Sequence, residues 1–234
     1  MPVSATLTSK PTVFARQRNA QRLAARLAAH PRFECLCQHC GRERDAGIDE
    51  VPEWRIWNDR PTTPDQLLIE GALENLVTAS TRILHIGVGN SGLGRRFAPR
   101  VSTVVGTTLH DEERVFSEGL GIQNYAVVRA NKYSSAQMDQ IGGRFDFIVD
   151  NNPASFACCL FHFACMMIRY AELLRNDGGL LLTAQGGLRW VVPGNDPNWS
   201  LGWDDWALLG GILGMPVARV MDSVCSMQRL PPGE

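Results

Sequence analysis

The sequence predicts an α/β protein with a doubly wound, mostly parallel sheet, preceded by a helical N-terminal extension. Three observations lead there. Apolar, β-prone runs alternate with helical stretches from residue 82 onward, the pattern of a parallel sheet with crossover helices. The first run, "RILHIGVGNSGLG" (82–94), passes straight into a glycine-rich loop in which Gly87, Gly89 and Gly92 are spaced G-x-G-x-x-G, the signature of a strand-to-helix turn that holds a nucleotide. A chain of 234 residues can bury one core of this class and still carry an appendage.

Taken in order, residues 1–12 are rich in Ser, Thr and Pro and predict no regular element. A helix is expected over about 13–30, with Ala20, Leu23, Leu27 and Ala28 on one face. "FECLCQHCGRERDAGIDEVPEW" (33–54) is irregular. At "RPTTPDQLLIEGALENL" (60–76), Thr63 can cap a helix, Pro64 suits its first position and Gln66 completes a capping box. Ile69, Leu73 and Leu76 then recur at helical spacing. Strands are expected in "VSTVVGTT" (101–108), "YAVVRAN" (125–131), "RFDFIVDNNP" (144–153) and "LLLTAQ" (180–185). Between them, "DEERVFSEGL" and "FACCLFHFACMMIRYAELLRNDGG" read as helices, the second stopped by Asn176, Asp177 and two glycines. "WDDWALLGGILG" can form a last helix and "PVARVMDSVCSMQRL" two short strands. The expected division is a 1–60 extension, placed to cover an active site, and a 61–234 nucleotide-binding domain.

Composition narrows the partners. The formal net charge is −1, so nothing global calls for nucleic acid or an anionic membrane, and no apolar run reaches the ~18 residues of a membrane span. The charge is uneven, since the first 33 residues hold six basic residues and no acid. That composition is also found in organellar transit segments, but it equally suits an amphipathic helix with a solvated basic face. Seven cysteines, an odd number, argue against a disulfide framework and for a reducing compartment. A cytoplasmic location is expected, with a homodimer left open.

Over about residues 62–229 the chain resembles the class I S-adenosylmethionine-dependent methyltransferases. "ILHIGVGNSGLG" is similar to their cofactor loop, "RFDFIVDNNPAS" to their strand-four motif, and "LLRNDGGLLLTAQGG" to their helix, glycine turn and fifth strand. "PVARVMDSVCSMQRL" matches the antiparallel strand pair that separates these enzymes from dehydrogenases. The resemblance implies a seven-stranded sheet with S-adenosylmethionine as cofactor. It places His85, Gly87, Gly89, Asn90 and Gly92 at the methionine side, Thr107, Thr108 and Asn131 at the nucleoside, and Asp150 beside the reacting centre. Three positions depart from the family. His85 stands where an acid usually precedes the first glycine, Thr107 or Thr108 replaces the acid that holds the ribose, and Asn131 replaces the adenine-side acid. These groups still hydrogen-bond but lack a carboxylate's charge; Asp111, a few residues on, is a candidate substitute.

For chemistry, "DNNP" sits at the C-terminal end of a central strand, where ligands meet open α/β sheets. Asp150, Asn151 and His110 are the catalytic candidates, the acid to orient an acceptor or take its proton. Asn152, Trp190, Trp199 and Trp203 are the acceptor-binding candidates. "LRWVVPGNDPNWSLGWDDW" holds four of the six tryptophans, an aromatic wall for a flat acceptor or a sulfonium, or else a satellite core; Trp199 is expected to be its most exposed ring. His162, inside an apolar helix, reads as a satisfied core residue. The magnesium-dependent members need an Asp-Asn pair after strand five, where this chain has Gln185-Gly186-Gly187. Cys35, Cys37 and Cys40 can begin a zinc site with His30 or a distant cysteine as fourth ligand, or pack reduced against the core. The second C-x-x-C is missing, and no metal is assigned.

The expected function is methylation of a small-molecule acceptor at N or O. Three alternatives remain open: aminopropyl or aminocarboxypropyl transfer, an RNA methyltransferase or RNA-binding protein using the basic start, and an NADP-dependent reductase using Thr107, Thr108 and Arg114.

Overall fold

A computed structural model describes residues 13–42 and 57–230. Seven strands form one sheet: β1 (Arg82–Ile86), β2 (Thr103–Thr108), β3 (Tyr125–Arg129), β4 (Phe147–Asp150), β5 (Leu180–Ala184), β6 (Val217–Met221) and β7 (Val224–Gln228). Their spatial order is β3-β2-β1-β4-β5-β7-β6. The first five run parallel, whereas β7 is antiparallel to both β5 and β6. This is the class I methyltransferase fold. An all-parallel dinucleotide-binding sheet has no such reversed strand.

The register explains where a ligand can sit. Ile86 of β1 pairs with Thr107 on one side and Asp150 on the other. The chain order reverses between β1 and β4, so their C-terminal ends open a crevice at the switch point. Alternate residues face opposite layers. Leu84, Ile86, Ile148 and Leu181 pack into one buried cluster, and Ile83, Val104, Val149 and Leu182 into the other.

Helix α1 (Val13–Ala28) presents Ala20, Leu23, Ala24 and Leu27 to the first cluster. It lies along α6 (Leu160–Leu173) and touches α8 (Trp203–Leu213). Ion pairs fasten the extension: Arg16 with Asp139 at 2.6 Å and Glu172 at 2.9 Å, and Arg32 with Asp205 at 2.7 Å. Two of the six basic residues of the start are therefore spent within the chain. Helix α2 (Pro64–Leu73) begins as expected, with Thr63 accepting from the Gln66 N–H. The capping box stays half made, because the Gln66 amide turns to Glu70 instead. The helix also stops at Leu73, short of Leu76, which is exposed.

Helices α3 (Gly92–Phe97), α4 (Asp111–Gly119), α5 (Ser135–Met138) and α7 (Gln185–Arg189) complete the set. The expected helix, running from residue 156 to its stop at Asn176, is reduced to α6. Residues 156–159 are held as a loop by Asn195, whose amide donates to Ser155 O and Ala157 O. Among the described residues, no helix is long and apolar enough to cross a membrane.

Candidate functional site

A cavity of about 420 Å³ lies at the C-terminal ends of β1, β2 and β4. Its floor is the glycine loop. Gly87 and Gly89 have φ of 78° and 48°, values an L side chain seldom adopts. With this turn, the Gly87 and Val88 N–H groups both donate to Thr107 O at 3.0 Å. The loop is thereby hooked to the end of β2. Asn90 fixes its far side, donating to Arg60 O at 2.7 Å and accepting from the Gly92 N–H at 2.9 Å. His85, Gly87, Gly89, Asn90, Gly92, Thr107, Thr108 and Asn131 all line the cavity. So do Asn151, Asn152 and Trp190.

Two of the lining residues each carry a buried polar atom without a hydrogen-bond partner, His85 Nδ1 and Asn151 Oδ1. Leaving such a group unpaired costs about 1–3 kcal/mol. Orphaned polar atoms on a cavity wall are thus places where a ligand makes up the loss. Burial also holds the His85 imidazole neutral and pushes its pKa down to about 4. An unfolded chain protonates histidine near pH 6.5, so between about pH 6.5 and pH 4 only the unfolded state takes up the proton. Stability is expected to fall across that window as the solution is acidified, by about 3 kcal/mol at its lower end. Urea unfolding of the wild type and of His85→Leu over this range checks it. The variant should lack this part of the slope, and parallel curves would refute the assignment.

Asp150 is not where a proton acceptor is needed. Its side chain is fully buried and is not among the cavity-lining residues. Lys132 Nζ donates to both its oxygens at 3.1 and 3.0 Å, Tyr170 OH donates at 2.7 Å, and the Asn152 N–H donates at 3.2 Å. With four bonds from three partners, the carboxylate has no acceptor left for a substrate. Lys132 also donates to Asn152 O at 2.7 Å, so the pair fastens the "DNNP" turn beneath the cavity. Burial lowers the pKa of this lysine against the opposing pull of Asp150, and raises that of Tyr170. Asp150 is therefore a positioning residue, and both the catalytic and the cofactor-contact expectations for it are corrected.

Other expectations shift too. His110 precedes α4 as its N-cap and is absent from the cavity wall. Trp199, expected to be the most exposed ring, is 2% exposed and packs on Phe163 at 5.2 Å between ring centres. Trp203 lies under the Arg219 guanidinium, and Trp206 is fully buried. Trp199, Leu201 and Trp206 thus join the main buried cluster beneath α1 and α6, and Trp203 packs against it. Of the loop's tryptophans, only Trp190 reaches the cavity, edge-on to Phe156 at 5.5 Å. Helix α1 does not cover the cavity. Among the described residues of the extension, Trp57 reaches it, beside Gly89, with the Arg60 guanidinium 4.4 Å above its ring.

Asp111, offered as the substitute ribose acid, points to Arg114 and Arg129 at the surface. The acid at the end of β2 is Glu113, one turn into α4. It is 2% exposed and lines the cavity. Thr108 Oγ1 donates to one of its oxygens, and the Trp57 N–H donates to the other at 2.8 Å. The sequence signal was there, since "DEER" puts three acids in the first turn of a helix that follows a strand. Only the third turns back over the strand end.

The acceptor side depends on one close approach. A Cβ at Gly187 would lie 1.5 Å from Asn151 O, so α7 packs on the "DNNP" turn only because this residue has no side chain. Gly186 likewise admits the Asp65 carboxylate. Both glycines belong to the Gln185-Gly186-Gly187 segment and line the cavity.

No family model matches the chain, and no curated protein does. Solved structures do resemble it. The CurJ carbon methyltransferase is 16% identical with a TM-score of 0.49, over 70% of this chain and 52% of that one. CalS10, an amino pentose methyltransferase from Micromonospora echinaspora, is 12% identical with a TM-score of 0.49, over 69% and 87%. Magnesium protoporphyrin IX methyltransferase from Synechocystis PCC 6803 is 15% identical with a TM-score of 0.48, over 71% and 81%. At such identities the likeness concerns the fold alone.

Proposed function

We propose that the chain is an S-adenosylmethionine-dependent methyltransferase acting on a small, flat acceptor at nitrogen or oxygen. The observation that carries this is the charge of the cavity wall. Asp65, Glu70 and Glu113 line it, Glu70 being paired with Arg96, and the one cation lining it among the described residues, Lys132, is bound to Asp150. The N-terminus of α3, which the Ser91 side chain does not cap, does open at the glycine loop. Among the described residues, however, no free cation stands beside it to hold a pyrophosphate, whereas a sulfonium is itself a cation and suits acids and aromatic rings. Arg114, the residue an NADP site would use, instead pairs with Asp111 and Glu118. The buried Glu113 carboxylate would repel a 2′-phosphate.

S-adenosylmethionine, when bound, supplies a methyl group on an electrophilic sulfonium. The residues present fit it. Glu113 Oε1 and Oε2 each keep a lone pair for a ribose hydroxyl, restoring the acid that the strand end lacks. Gly87 and Gly89 let the backbone approach closely, and the orphaned His85 Nδ1 is a partner for the amino-acid end. On the acceptor side, Asn151 Oδ1 accepts from an N–H or O–H and so aims that atom's lone pair. Phe156 and Trp190 wall a flat molecule and keep water out. Asp150 takes no proton here. Rate then comes from alignment, which supplies of order 7–11 kcal/mol in well-oriented cases. Acceptors that need no strong base, such as amines, suit this wall best.

Incubation with S-adenosylmethionine and a panel of small aromatic amines and phenols tests the reading. Methyl transfer releases S-adenosylhomocysteine and a methylated product. Release of 5′-methylthioadenosine instead would mean that the aminocarboxypropyl group is transferred, and would overturn it.

A further inference from the structure

We propose that Cys40, Cys158, Cys159 and His162 bind a structural zinc ion that staples the N-terminal extension to the loop after β4. The four side chains come from two distant parts of the chain, and their ligand atoms all lie within 4.8 Å of one another. Sγ of Cys40 is 3.4 Å from Sγ of Cys158, and Sγ of Cys158 is 3.7 Å from Sγ of Cys159. His162 Nδ1 lies 3.5, 3.3 and 3.1 Å from the three sulfurs in turn. Tetrahedral zinc, with bonds of about 2.3 Å to sulfur and 2.0–2.1 Å to nitrogen, sets sulfur–sulfur edges of about 3.8 Å and sulfur–nitrogen edges of about 3.5 Å. These five edges fall within a few tenths of an ångström of those figures, and the sixth, between Cys40 and Cys159, is within 4.8 Å. All seven cysteines are free of disulfides, so the thiols are available as ligands.

The chemistry selects the metal class. Three thiolates and one imidazole make a soft, four-ligand set, which favours zinc over oxygen-seeking cations. With four protein ligands no position is left for water, so the site is structural. None of the four lines the cavity, and the site stands whatever nucleotide the cavity holds. This differs from a site built on Cys35, Cys37 and Cys40. Cys35 and Cys37 are exposed, His30 Nδ1 accepts from the Arg32 N–H, and His39 stacks on Phe161 with ring centres 4.7 Å apart.

The surrounding backbone holds the two halves together. The Leu160 N–H donates to Cys37 O at 2.8 Å, and the Phe161 N–H donates to Gln38 O at 3.1 Å. These bonds clip residues 37–38 onto the first turn of α6 and carry Cys40 over Cys158. Cys159 is the N-cap of α6 and His162 lies in its first turn, which brings the ring back over the sulfurs of Cys158 and Cys159. The ligand-bearing loop also contains Phe156 of the cavity wall, so the ion would order the acceptor side from outside.

Metal analysis of the full-length protein, purified under reducing conditions without chelator, tests this. One tightly held zinc per chain is expected. Cobalt added to the chelator-stripped protein should give the intense visible bands of a tetrahedral site and a near-ultraviolet thiolate charge-transfer band. Cys159→Ser and His162→Gln should lose the zinc, while Cys35→Ser, Cys37→Ser and Cys165→Ser should retain it. Because the cobalt spectrum is read on the wild type, a variant that fails to fold does not decide the question. Absence of both zinc and the charge-transfer band would overturn the proposal. So would a Cys40–Cys158 disulfide in the native protein, or zinc that follows Cys35 and Cys37.

Discussion

Asp150→Ala is expected to destabilise the fold by about 3–5 kcal/mol, because it strands a buried ammonium without its counter-charge. Lys132 keeps only 7% of its side chain exposed, so water does not replace the lost carboxylate. Whole domains are stable by about 5–15 kcal/mol, which makes this a large fraction of the total. Tyr170 OH loses its acceptor in the same step. If Asp150 were instead a general base at the cavity, the variant would lose turnover and keep its unfolding midpoint. A compensating pair sharpens the test. Asp150→Leu combined with Lys132→Met removes both charges and should recover most of the stability, since apolar replacement of a buried ion pair is often neutral. Urea unfolding of the single and paired variants reads this directly.

Glu113→Ala is expected to weaken S-adenosylhomocysteine binding about 10- to 100-fold, as hydrogen bonds to a charged group contribute about 1.5–3 kcal/mol. The carboxylate does two tasks. It gives the nucleoside an acceptor at the end of β2, and it holds the Trp57 N–H that brings that ring beside Gly89. Glu113→Gln keeps the size and one acceptor, so an intermediate loss is expected. Asp111→Ala, at the surface between two arginines, should leave affinity within about 2-fold. Equal affinity in Glu113→Ala and Asp111→Ala, by calorimetry, would remove Glu113 from the site.

The architecture was legible because it follows from local signals. Alternating apolar runs, Thr63-Pro64 before α2 and the glycine loop after β1 each specify an element from neighbouring residues alone. The final two short strands were visible for the same reason, while the reversed direction of β7 followed only from the resemblance to the class I methyltransferases. Side-chain roles were less legible, since they depend on what crosses between elements. Asp150 looked reactive at a strand end, and nothing near it in sequence announces that Lys132 will saturate it. Trp199 sat in a polar, proline-containing loop, yet Phe163, on a helix predicted separately, supplies its buried partner. Glu113 was masked by its neighbours, because only the helix phase decides which of three acids turns inward. Cys40 was grouped with the cysteines nearest in sequence. The approach of α6, fixed by backbone bonds to residues 37 and 38, sets it instead against Cys158, Cys159 and His162.

The central claim is that an acid-lined cavity on a sheet of this order holds a sulfonium nucleoside and not a dinucleotide. Titration calorimetry with S-adenosylhomocysteine and, separately, with NADPH tests it most directly. Binding of S-adenosylhomocysteine alone, weakened in Glu113→Ala, is the expected result. Binding of NADPH, or no binding of either nucleotide to the wild type, would contradict it.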